Sequence, residues 1–210
     1  MIKACLFDLD GTLINSEEYY VKGMTFLANS LGANIKEDVL FKAIGTTMDE
    51  TYKIFEEIVK KPKNEWIDMY NNYFSNVNPI NFKELLFQDV KETFIELNSK
   101  GIKVAICSMS PQDYIKKFVD ECELNEYVDY YISGENCKNN KPSPDIYLNA
   151  LKSLNINSDE AIAVEDASQG IESAVRANIK VVARDNSKFN IDQSKASLVF
   201  KDLRKLIKII

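Results

Sequence analysis

Short apolar runs recur along the chain, separated by stretches whose apolar residues repeat with helical spacing. The runs KACLF (3–7), IKVAIC (102–107), YVDYYIS (127–133), AIAVE (161–165), KVVAR (180–184) and SLVF (197–200) read as buried strands. Between them, Val90, Phe94 and Leu97 mark a helix closed at Gly101. Ser110 and Pro111 supply the N-cap and first residue expected of a helix carrying Ile115, Phe118, Val119 and Cys122. Asp145 to Leu154 and Ser168 to Ala177 continue the alternation. Strands alternating with helices imply an α/β fold, a parallel sheet covered on both faces.

One section breaks the rhythm. From Ser16 to Asn81 the pattern contains helical stripes and no convincing strand. Tyr20, Met24, Leu27 and Leu31 form one stripe, ended by Gly32, and Ile67, Tyr70, Phe74 and Val77 form another, stopped near Pro79. Thr47-Met48-Asp49-Glu50 is a capping-box pattern opening a third helix with Thr51, Ile54 and Ile58. The expected organisation is a core domain of residues 1–15 and 82–210 interrupted by a four-helix domain of residues 16–81.

Composition narrows the chemistry. A net charge of −6 argues against a nucleic-acid or membrane-surface partner. No apolar run approaches the ~18 residues of a membrane span. The N-terminus passes directly into charged sequence, unlike a signal peptide, so a cytoplasmic protein is expected. Cys5, Cys107, Cys122 and Cys137 show no C-x-x-C spacing and read as structural thiols. The chain has no histidine, which removes Ser-His-Asp and Cys-His triads and histidine metal sites together. Chemistry must run on carboxylates, lysine and hydroxyls, with or without a metal.

Ligands of open α/β sheets bind beyond the carboxyl ends of the strands. Reading off the residues there yields Asp8 and Asp10 after the first run, Ser108 after the second, Lys141 several residues after the third, and Glu165 with Asp166 at the fourth. Four carboxylates at one rim carry too much negative charge to stand alone. A divalent cation with hard oxygen ligands resolves it, and Mg²⁺ also takes phosphate oxygens. Carboxylates and Mg²⁺, with a lysine and a hydroxyl to hold further oxyanions, describe a phosphoryl-transfer site. One carboxylate can act as nucleophile and a second can move the proton. Gly11 lets the chain turn sharply and bring backbone N–H groups towards a phosphate.

DLDGT (8–12), Ser108, KPSPDIY (141–147) and VEDASQG (164–170) together resemble, in order, the four motifs of the haloacid dehalogenase superfamily. The helical segment after the first motif resembles the C1-type cap of its β-phosphoglucomutase-like subfamily. The resemblance implies a Rossmann-like core with an inserted helical cap domain. It implies Asp8 as nucleophile and Mg²⁺ ligand, and Asp10 as general acid/base that also offers the metal its backbone carbonyl. Ser108 and Lys141 would hold the transferring phosphoryl group, and Glu165 and Asp166 would complete the metal site, Asp166 the more direct ligand. Substrate contacts are expected from Gly11, Thr12 and Met109, and from Tyr20, Gly45, Thr46, Thr47 and Met48 of the cap.

Asp10 speaks against dehalogenase or phosphonate chemistry, because relatives of those kinds lack an acid/base carboxylate there. The subfamily's mutases clamp a second phosphate with a cap arginine, where this chain has Met48, and carry a cap histidine where it has Tyr20. Asn15 also departs from the residue usual after the first motif, at a position expected in the hinge between core and cap. The expected function is a Mg²⁺-dependent phosphatase of small phosphorylated metabolites, sugar or polyol phosphates, acting as a monomer or weak dimer. A β-phosphoglucomutase-type mutase is the alternative, with Lys22 or Lys53 as a different phosphate contact; a catalytically idle binding protein is a third reading.

Overall fold

The structure is a computed structural model that describes every residue, Met1–Ile210. The chain divides into two compact units. One consists of Met1–Asn15, Phe82–Ser187 and Ile191–Ile210, and the other of Ser16–Asn81 with Lys188–Asn190.

The first unit opens with β1 (Ala4–Phe7). The chain then forms the helical unit from α1 (Ser16–Ser30), α2 (Met48–Val59) and α3 (Ile67–Asn72). It resumes with α4 (Phe82–Leu85), α5 (Val90–Ser99), β2 (Lys103–Ser108), α6 (Gln112–Glu121) and β3 (Tyr130–Ser133). After these come α7 (Asp145–Leu154), β4 (Ala161–Glu165), α8 (Ser168–Arg176), β5 (Lys180–Arg184) and β6 (Val199–Phe200).

The six strands form one sheet in the order β3-β2-β1-β4-β5-β6, and every neighbouring pair is parallel. β1 and β4 are buried at every position, as strands covered on both faces must be. Helix α7 presses Ile146, Tyr147, Ala150 and Leu151 into the core beside Leu6 and Ala105. Each such fully buried large apolar side chain contributes about 1.5–3 kcal/mol by leaving water.

Two strands are shorter than their apolar runs by two residues or more. Tyr127 and Val128 belong to a turn whose N–H groups donate to the Leu124 carbonyl, so β3 starts only at Tyr130. In the run 197–200 the strand β6 is only Val199 and Phe200, although the Ser197 N–H donates to the Val181 carbonyl of β5 and the Leu198 carbonyl accepts from Ala183 N–H, both at 2.8 Å. The helix expected from Ser110 begins instead at Gln112, with Pro111 at its N-cap.

The helical unit has its own core, in which Met24, Leu27, Phe55, Trp66 and Tyr70 are buried. Thr47 caps α2 in a complete capping box, its hydroxyl accepting from Glu50 N–H while the Glu50 carboxylate accepts from Thr47 N–H. The four expected helices become three α-helices, two 3₁₀ helices (Glu37–Ala43 and Lys63–Glu65) and a π-helical extension of α3 (Tyr73–Val77). Lys188–Asn190 pack with this unit through the Phe189 ring, edge-on to Phe41 at 4.9 Å.

Candidate active site

The strand order reverses at β1, which has β2 on one side and β4 on the other. Phe7 is in register with both Ile106 and Val164, so Asp8, Cys107 and Glu165 stand abreast one residue later. The Asp8 N–H donates to the Val164 carbonyl at 2.9 Å and extends the pairing to the site itself.

Lys141 joins the three strand ends. Its ammonium donates to Asp8 Oδ1 at 2.6 Å, to the Cys107 carbonyl at 2.8 Å and to Glu165 Oε1 at 2.8 Å. The Lys141 side chain is 5% exposed and that of Glu165 1%, so water screens these charges little. Burial pulls the Lys141 pKa down, but Asp8 and Glu165 outweigh it and hold the ammonium above the ordinary lysine value. Burial pushes Glu165 up, with Lys141 opposing and Asp8 adding to the rise. The Tyr147 phenol, from α7, donates to the same Glu165 oxygen, and its ring lies 5.3 Å from the Lys141 ammonium. Glu165 rests on bare backbone, because a Cβ on Gly170 would stand 2.0 Å from Oε2.

Asp166 is held from both sides. The Thr12 hydroxyl donates to Oδ1 at 3.2 Å and the Asn186 amide to Oδ2 at 2.6 Å. Gly11 adopts φ +76°, and a Cβ there would lie 2.2 Å from Asp166 Oδ2. Thr12, expected among the substrate contacts, is wholly buried and spends its hydroxyl on Asp166.

The ligand-capable oxygens of Asp8, Glu165 and Asp166 lie within 4.8 Å of one another, and all three residues are buried. Lys141 bridges two of these three carboxylates. A compact set of hard carboxylate oxygens exceeding its local ammonium in charge fits a hard divalent cation.

The Asp10 carboxylate stands apart from that cluster. It accepts from the Ser110 hydroxyl at 2.6 Å and the Tyr114 hydroxyl at 3.3 Å, both near the start of α6. The Ser110 side chain therefore serves a charged acceptor instead of capping the helix, the stronger of the two bonds open to it. Ser108, almost wholly buried, accepts at Oγ from the Ser110 N–H at 3.0 Å. Met109 is partly buried against the core.

The remaining expected residues lie in the helical unit. Tyr20 packs on Tyr19 and Phe74, Gly45 has φ +71°, Thr46 hydrogen-bonds Ala43 and Thr51, Thr47 caps α2, and Met48 is exposed.

Ser110, Tyr114, Tyr147, Asn186 and Gln193 also belong to the network and were not expected from the sequence. Tyr147 lies inside the KPSPDIY motif, the one available signal; the other four lie outside every recognised motif.

A family profile described as haloacid dehalogenase-like hydrolase matches residues 5–184. A phosphorylated carbohydrates phosphatase of Thermotoga maritima is 30% identical over 184 residues, 85% of this chain and 83% of that protein. Pyrophosphatase PpaX of Bacillus cereus is 30% identical over 186 residues, 87% of this chain and 82% of that protein. The crystal structure of β-phosphoglucomutase from Clostridium difficile aligns with a TM-score of 0.75 at 28% identity, over 98% of this chain and 93% of that chain.

Proposed function

The chain belongs to the haloacid dehalogenase-like hydrolase family, and from that premise we propose that it is a Mg²⁺-dependent phosphatase of small phosphorylated metabolites, sugar or polyol phosphates, working through an aspartyl-phosphate. The observation that carries the reading is the buried ammonium of Lys141 bridging Asp8 and Glu165 beside Asp166, with Asp10 two residues along from Asp8.

Lys141 engages Oδ1 of Asp8, so Oδ2 is the oxygen that attacks phosphorus. As the Oδ2–P bond forms, the bond from phosphorus to the ester oxygen breaks, and Asp10 delivers its proton to that poor alkoxide leaving group. Water then attacks phosphorus while Asp10 takes its proton, and the P–Oδ2 bond breaks to release phosphate and regenerate the Asp8 carboxylate. Ser108 O–H holds a phosphoryl oxygen through both steps, while the Lys141 charge offsets that of the phosphoryl group with its three N–H groups on Asp8, the Cys107 carbonyl and Glu165. Asp8, Asp166, Glu165 and the Asp10 carbonyl would hold the metal, which when bound offsets the charge of carboxylates and phosphate together.

We assign substrate choice to Gly11 and Met109 of the core and to Tyr20, Gly45, Thr46, Thr47 and Met48 of the helical unit. Met48 has no charge to offer a second phosphate, which favours monophosphates over the bisphosphates a mutase must hold. The likeness to a solved β-phosphoglucomutase keeps the mutase as the second reading.

The test is a panel of sugar phosphates, other monoesters and pyrophosphate, assayed for released phosphate with Mg²⁺ and with chelator. Release from sugar phosphates that requires Mg²⁺ and is abolished in Asp8→Asn supports the phosphatase. Conversion of glucose 1-phosphate to glucose 6-phosphate with little free phosphate would install the mutase in its place.

A further inference from the structure

Asn186 and Gln193 follow β5, outside the four family motifs, yet both are buried and both end on Asp166. The Asn186 amide donates to Asp166 Oδ2 at 2.6 Å. Gln193 uses both ends of its side chain. Its Nε2 donates to the carbonyls of Asp166 at 2.7 Å and Arg184 at 2.6 Å, and its Oε1 accepts from the Asn186 N–H at 3.3 Å. Gln193 therefore ties the backbone leaving β5 to the backbone leaving β4, and in doing so presents the Asn186 amide to the carboxylate.

An aspartate carboxyl turns easily about its last torsion, whose rotamer wells are broad. Thr12 on one oxygen and Asn186 on the other fix its plane with neutral donors, so its negative charge is kept while its lone pairs are aimed. Partners of this kind orient metal ligands and raise affinity without touching the metal.

We propose that Asn186, presented by Gln193, is a positioning residue for Asp166 and sets how tightly the site takes a divalent cation. The proposal rests on the phosphatase reading above, in which Asp166 is a metal ligand.

The test compares wild type with Asn186→Leu, which removes the amide at similar volume, and with Asn186→Ala. Two quantities are read: the rise in Tm on titrating Mg²⁺ without substrate, and the Mg²⁺ concentration giving half-maximal phosphate release. Both variants should need about tenfold more Mg²⁺, or beyond, for either effect. Excess Mg²⁺ should restore phosphate release, with substrate KM little changed. Wild-type Mg²⁺ dependence in a folded variant overturns the proposal, as does an activity loss that excess Mg²⁺ does not recover. If one variant does not fold, the other carries the comparison. A wild-type protein indifferent to Mg²⁺ in both readouts overturns the phosphatase reading itself, a distinct outcome from variants that match a responsive wild type.

Discussion

Replacing Lys141 by methionine keeps most of the aliphatic stem and removes the ammonium, so it isolates the charge. Three hydrogen bonds go with it, to Asp8 at 2.6 Å, to the Cys107 carbonyl at 2.8 Å and to Glu165 at 2.8 Å. Two carboxylates are then left facing one another, their side chains 12% and 1% exposed, where water can do little for either. Removing one partner of a buried pair costs about 3–5 kcal/mol, and we expect a loss of that size at about pH 8. Urea denaturation with chelator present reads it without a contribution from bound cations. The pH dependence has a definite sign. Burial already raises Glu165, and losing Lys141 raises its folded pKa further above the unfolded value. Such a group keeps its stability below the unfolded pKa and loses it as pH rises through the folded one. The deficit against wild type should therefore shrink towards about pH 5, where a proton replaces the ammonium, and widen towards about pH 8. A deficit below about 1 kcal/mol at the higher pH, the size of an ordinary surface pair, refutes the reasoning, as does one that grows on acidification.

Arg184 forks onto Asp89 at 2.8 and 3.2 Å and donates to the Thr12 carbonyl at 2.7 Å, all in a buried setting. Arg184→Leu should lower stability by about 3–5 kcal/mol, and adding Asp89→Leu should recover part of it; a double variant no better than the single contradicts this. Gly170→Ala should drive a methyl into the Glu165 carboxylate and lower stability by about 1–3 kcal/mol, whereas an unchanged Tm would mean that Glu165 swings clear. All four thiols are free, with Cys5 pushed up to about 12 and Cys122 to about 11 by burial. Mass spectrometry after brief alkylation at neutral pH should find Cys137, which is only partly buried, labelled first and the other three only after unfolding.

The grouping of strand ends was legible in the sequence because a parallel sheet sends all of them to one rim. Once 4–7, 103–108 and 161–165 are strands, Asp8, Ser108 and Glu165 have no other edge to occupy. Runs 161–165 and 180–184 coincide with β4 and β5, since continuous burial leaves an apolar stretch with turn residues at both ends. YVDYYIS was less faithful, because Tyr127 and Val128 are apolar enough for a strand but sit in a turn. Ser110 shows the limit of local signals. Its neighbour Pro111 makes it look like a cap, and only the folded chain brings it to Asp10, 100 residues away. Asn186 and Gln193 lie 20 and 27 residues beyond Asp166 on a polar loop, where no periodicity marks a residue as buried. Their role depends on the path of that loop, which spacing does not encode.

The proposed catalysis is covalent chemistry at Asp8. Rapid quenching of the enzyme during turnover of a good sugar phosphate, with proteolysis and peptide mass spectrometry, looks at that residue directly. The predicted result is a phosphoryl group on the peptide containing Asp8, absent in Asp8→Asn and removed from wild type on chasing without substrate. A phosphoryl group on any other residue, or undiminished turnover by Asp8→Asn, would contradict it.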